Sequence, residues 1–109
     1  MPAALTNILE HVPAGRLDEE FIELLSAPGL RIERIVSTGQ CTPAGEWLEQ
    51  QRSEWVLLIQ GHASLRLETI PEARHLRPGD HLHIPAGLRH RVEATQAEPP
   101  TIWLAVHYG

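Results

Sequence analysis

The sequence predicts an all-β domain, a sandwich or barrel, with one short helix ahead of it. Three observations carry this. The chain has 109 residues, which is room for one core, since single domains commonly run to about 100–150 residues. From Leu30 onward, short apolar runs are separated by Gly, Pro and Asp turn residues, the texture of many short strands. Before that point, one stretch carries helical spacing. Apolar residues at 42% and charged residues at 21% are ordinary for a folded globular protein, which argues against disordered and fibrous classes.

The first 17 residues contain two prolines and no sustained period, and read as an irregular arm lying against the domain. From Leu17 to Ser26, Asp18 can cap a helix whose first turn is acidic, with Phe21, Leu24 and Leu25 on one face. Pro28 and Gly29 end it. The predicted division is therefore residues 1–29 as arm and short helix and 30–109 as the barrel, one structural domain overall. Leu30 to Val36 alternates, with Leu30, Ile32 and the stem of Arg34 on one side and Arg31, Glu33 and Ile35 on the other. Thr38 to Gly45 reads as a turn or irregular edge.

Glu54 to Gln60 is the strongest strand. The unbroken run Trp55 to Ile59 implies cover on both faces, from the helix or from a second subunit. Gly61 is expected to turn a hairpin into residues 62–68, where Ala63, Leu65 and Leu67 point inward. Pro71 to Gly79 is polar and turn-rich. A short strand, His81 to Ile84, stops at Pro85, which cannot donate to a ladder. Arg89 to Glu93 and Thr101 to Tyr108 complete the set.

A net charge of −5, with nine Arg and no Lys, gives no basic field for phosphates, so nucleic acid is not an expected partner. No window approaches the roughly 18 apolar residues that span a bilayer, and no basic segment leads a long apolar one. Membrane insertion and export are not expected, and a cytoplasmic location is the default. The single cysteine, Cys41, has no internal disulfide partner and reads as a small buried hydrophobe rather than a nucleophile.

The chemistry-bearing pattern runs Gly79-Asp80-His81-Leu82-His83-Ile84-Pro85-Ala86-Gly87-Leu88-Arg89-His90. Two tight turns bracket a short strand and return the chain so that His90 begins the next one. There a neutral imidazole can coordinate a divalent metal or act as an acid or base. The segment resembles the second motif of the cupin family, complete through the histidine, with Ala94 where the family has Asn. Glu54, six residues and Gly61 resemble the second half of the first cupin motif. Its His-x-His half is absent: Trp47-x-Glu49 or Leu48-x-Gln50 stands there. The resemblance covers about residues 39–107.

The resemblance implies a cupin double-stranded β-helix, a jelly-roll barrel open at one end, pairing through sheet faces as a homodimer. It also implies a divalent ion (Zn, Fe, Mn or Ni) with Glu54 and His90 as ligands. A divalent ion usually takes three or four protein ligands, so further ones are sought in Glu49, Gln50 and His107. His81 and His83 share one strand face and read either as a metal-binding pair or as paired surface imidazoles. His11, His62 and His75 read as solvated. Trp47, Trp55 and Trp103 are core or dimer residues, or, for Trp47 and Trp103, walls of an apolar pocket for a small organic ligand. Arg89 and Arg91 flank His90 and point away from it onto a solvated face.

Three functions are consistent with this reading: a small metal-binding cupin of unassigned activity, of the dioxygenase or isomerase sort; a metal-free small-molecule-binding or sensor module; and a purely structural homodimer partner. Fold alone does not choose between them.

Overall fold

The protein is described by a computed structural model over residues 5–109. Eight strands form in chain order: β1 (Glu20–Ala27), β2 (Leu30–Ser37), β3 (Ser53–Gln60), β4 (Ala63–Leu67), β5 (Arg74–Leu76), β6 (His81–Ile84), β7 (His90–Thr95) and β8 (Thr101–Tyr108). They make two antiparallel sheets, ordered β1-β2-β8-β3-β6 and β5-β4-β7. Val56 and Leu58 of β3, Leu65 of β4, Leu76 of β5, and Trp103 and Ala105 of β8 form the buried cluster between the sheets. Among the described residues no helix is long and apolar enough to cross a membrane.

The helix expected over Leu17–Ser26 is instead strand β1. Pro28 and Gly29, read as its terminator, make a two-residue hairpin turn that pairs Ala27 with Leu30. Gly29 takes a φ of 72°, and proline followed by such a glycine is a type II turn. A bulge between Glu23 and Leu25 inserts one residue. It resets the strand alternation, so that Phe21, Leu24 and Leu25 coincide with helical spacing. The open edge of β2 offers those residues a ladder of backbone hydrogen bonds, and the weak helical preference gives way.

Of the arm expected over the first 17 residues, 1–4 lie outside the described residues, and the stretch from Ile8 to His11 is tied to the domain by Arg34. The guanidinium of Arg34, 4% exposed, donates to the carbonyls of Ile8 (3.2 Å), Glu10 (2.6 Å) and His11 (3.2 Å) and to the carboxylate of Glu20 (2.7 Å). A buried charge is tolerable only when paired and hydrogen-bonded, and the arm provides that pairing.

Gly61 does not turn a hairpin. β3 pairs with β8 and β6, whereas β4 pairs with β5 and β7, so Gly61 is the corner at which the chain leaves one sheet for the other. A short strand, β5, also forms inside the polar stretch Pro71 to Gly79. The inward positions Ala63, Leu65 and Leu67 are buried. β3 is buried on one face only: Val56 and Leu58 are enclosed, while Trp55, Leu57 and Ile59 are partly exposed. No helix forms among the described residues, and none of those residues covers them fully. Cys41 is exposed rather than buried.

Candidate functional site

Four ionisable side chains meet between the sheets, and the strand register explains why. β8 runs between β2 and β3, placing His107 directly opposite Glu54 on one side and Arg31 on the other. Glu33 lies two residues along β2 from Arg31 and so shares its face. His90 opens β7 in the facing sheet. Leu48 fixes its backbone through hydrogen bonds of 2.6 and 2.9 Å, which also tie the 40–52 loop to this strand. Glu33, Glu54, His90 and His107 are all buried.

Their contacts form a chain. His107 Nε2 donates to Glu33 Oε1 at 2.9 Å and lies 3.8 Å from Glu54 Oε2. The other oxygen, Glu54 Oε1, lies 3.8 Å from His90 Nε2. His90 Nδ1 is 3.0 Å from the Leu88 carbonyl. A carbonyl only accepts, so the proton sits on Nδ1, and in neutral His90 the Nε2 lone pair faces Glu54. Glu54 itself hydrogen-bonds to no described residue. Its carboxyl titrates above the ordinary range because burial penalises the charged form; His107, His90 and Arg31 oppose that rise, and Glu33 adds to it. An imidazole lone pair facing a carboxyl that holds its proton late pairs a base with an acid, across a 3.8 Å gap too long for a direct hydrogen bond.

These groups line a cavity of about 510 Å³, within the usual range for small-ligand sites. Ile35, Val56, Leu65, Ile84, Val92 and Trp103 supply apolar wall, and Glu19, Phe21, Arg31, Leu48 and Gln50 complete the lining.

The expected site residues are thus placed unevenly. Glu54, His90 and His107 converge, and Gln50 lines the same cavity. Glu49 does not join them: it is exposed, with its carboxylate 3.9 Å from Arg89. Trp103 is a cavity wall, but Trp47 is not; the guanidiniums of Arg66 and Arg89 stack over it at 5.8 and 5.9 Å. Arg91 is not on a solvated face. It donates to the carbonyls of Thr42, Pro43 and Glu46, clamping that loop. His81 and His83 lie on the outer face, where Trp55 Nε1 donates to His81 Nδ1 (3.3 Å) and the Tyr108 hydroxyl sits 2.7 Å from His83 Nε2. Glu33 was not among the expected site residues. Its one sequence signal is sharing a strand face with Arg31 and Ile35, and that face proves to be the interior.

The donor set does not fit a chelated divalent ion. Glu33 already takes up His107 Nε2, which leaves only Glu54 and His90 open toward each other. Among the described residues no three His, Cys, Asp or Glu side chains are arranged to hold a metal.

The fold and this site define a small single-barrel protein with an interior acid–base cluster. The cupin domain model matches residues 35–107, and the chain belongs to the cupin family. It is similar over 97% of its length, at 45% identity and a TM-score of 0.94, to 98% of a Ralstonia eutropha protein provisionally named a mannose-6-phosphate isomerase. It also matches a cupin superfamily protein from Desulfitobacterium hafniense (18% identity, TM-score 0.77, 99% of this chain and 94% of that one). A third match is a Klebsiella pneumoniae protein with a double-stranded β-helix domain (17%, 0.74, 98% and 90%). The last two bear on fold alone. Comparison with curated proteins finds no match.

Proposed function

We propose that this cupin binds a small organic molecule in its interior cavity and that Glu54 and His90 exchange a proton with it, with no chelated metal. One observation carries the reading. Glu54 is 6% exposed, makes no hydrogen bond to a described residue, and lines the cavity with an imidazole nitrogen 3.8 Å from each of its oxygens. The Glu54 carboxyl is thus open to the cavity, and a ligand entering there can form the hydrogen bond that no described residue makes. Of the activities that the family resemblance implies, isomerisation by proton transfer needs only such a pair: one group takes a proton from carbon while the other gives one to oxygen. The isomerase name of the Ralstonia relative is in keeping with this.

Elemental analysis of protein purified without a histidine tag tests the reading. Substoichiometric Zn, Fe, Mn and Ni is the expected result. Near-stoichiometric metal that disappears in His90→Ala overturns it in favour of a metal-dependent cupin.

We further propose that a second copy covers the outer face of the five-stranded sheet. Ile32, Trp55, Leu57, Ile59, Leu104 and Val106 face outward there, all partly exposed. These six side chains are apolar, and an apolar sheet face can pack on itself about a two-fold axis.

A further inference from the structure

We infer that the cavity takes a small organic cation, an amine on an apolar body, with its ammonium group beside Glu54 and Glu33. The inference rests on the small-molecule reading above and adds the ligand's charge class. Three carboxylates line the cavity, those of Glu19, Glu33 and Glu54, against one guanidinium, that of Arg31. Arg31 lies on the exposed side of the cavity, its half-exposed guanidinium 3.8 Å from Glu33 Oε2, and Glu19 accepts a hydrogen bond from Ser37. A phosphate or carboxylate on the ligand would meet three carboxylates and a single guanidinium, whereas phosphate sites present several Arg, Lys or backbone N–H groups.

The second observation is independent of this count. Glu54 is 6% exposed, without a hydrogen bond to any described residue, and its oxygens are turned toward the cavity between two imidazoles. An acceptor so placed calls for a donor from the ligand, and a charged donor strengthens the contact. Burial holds the Glu54 carboxyl above its ordinary range, and a bound cation offsets that penalty by favouring the carboxylate. Glu33 and Glu54 oxygens lie 2.9 and 3.8 Å from the same His107 nitrogen, so a donor beside His107 has both within its neighbourhood. The walls, Trp103 with Ile35, Val56 and Leu65, suit an apolar or aromatic body, and an aromatic face also attracts a cation.

The test is calorimetric titration of the full chain, purified without a tag, with 2-phenylethylamine, 2-phenylethanol and phenylacetate at neutral pH. The three share an aromatic body and differ in polar group. The amine is expected to bind at least about tenfold more tightly than the alcohol, and phenylacetate to give no binding heat. Glu54→Gln, close in shape, should lose about tenfold in amine affinity and so narrow the gap between amine and alcohol; Glu33→Gln is the second variant should Glu54→Gln fold poorly. Equal affinity for amine and alcohol, tighter binding of phenylacetate, or binding of none of the three overturns the inference. Loss of the amine preference leaves the metal-free reading standing, and a metal found by elemental analysis overturns that reading without touching the preference.

Discussion

Gly61→Ala should be the most damaging small change in the chain, and the structure supplies its size. Gly61 sits at a φ of 86°, and a Cβ built on it would lie 2.7 Å from Thr101 Oγ1 and 2.8 Å from Thr101 Cα. Two costs add. A side chain in left-handed backbone costs about 1–2 kcal/mol. The overlap falls on a fully buried residue of β8, not on a flexible tip, so the two strands must separate, at about 1–3 kcal/mol for an overpacked core. The sum, about 2–5 kcal/mol, is a large share of the 5–15 kcal/mol typical of a domain. Gly79→Ala is the control, since its φ of 96° carries the first cost but nothing lies within 4 Å of its Cβ. In urea unfolding the two variants should differ by about 1–3 kcal/mol. In thermal unfolding, at about 4–8 °C per kcal/mol for a chain of this size, they should separate by at least about 4 °C. Equal losses in the two variants would refute the close-approach argument. They would also remove the physical reason for the glycine seven positions after Glu54, which is to let β3 end against Thr101 and so hold Glu54 opposite His107.

Three further outcomes follow from the same contacts. Because the folded state holds the Glu54 proton to higher pH than the unfolded chain, Glu54 contributes stability below its ordinary value of 4.5 that fades as pH rises through the raised value. Relative to wild type, Glu54→Gln should therefore gain stability as pH rises above 4.5 in urea titrations, and a difference constant with pH would contradict this. Arg34→Met removes the donors to the Ile8, Glu10 and His11 carbonyls and to Glu20. It should cost roughly 3 kcal/mol and open residues 5–19 to limited proteolysis; an arm as resistant as in wild type would show that Arg34 does not hold it. Leu104→Glu, on the outward face of the central strand, should convert a wild-type dimer to a monomer by light scattering, and a monomeric wild type would sink the pairing proposal.

Much of the fold was legible because β3, β4, β6 and β8 carry their own local signals: apolar runs or alternation bounded by glycine and proline. β1 was not legible, for a definite reason. Its bulge at Leu24 breaks the period of two, and what holds it as a strand is the edge of β2, a tertiary contact with no trace in the spacing of Phe21, Leu24 and Leu25. Gly61 shows the same limit from another side. The residue type announced a turn, but whether the chain returned beside itself or crossed to the other sheet depended on where β8, forty residues later, would insert.

The candidate site divides along this line. Glu54 and His90 stand at strand starts marked by turns, so short-range pattern finds them. His107 and Glu33 enter only because β8 lies between β2 and β3, which is long-range information. That placement also decides the chemistry. Glu33, contributed by a strand that short-range pattern left facing either way, takes the imidazole nitrogen that a third metal ligand would have needed. One hydrogen bond of 2.9 Å thus moves the site from a chelating set toward a chain of carboxylates and imidazoles that can share protons. Glu33→Ala would free His107 toward Glu54. If that variant gains zinc in elemental analysis while the wild type binds none, then Glu33, rather than the missing His-x-His alone, keeps the cavity free of metal.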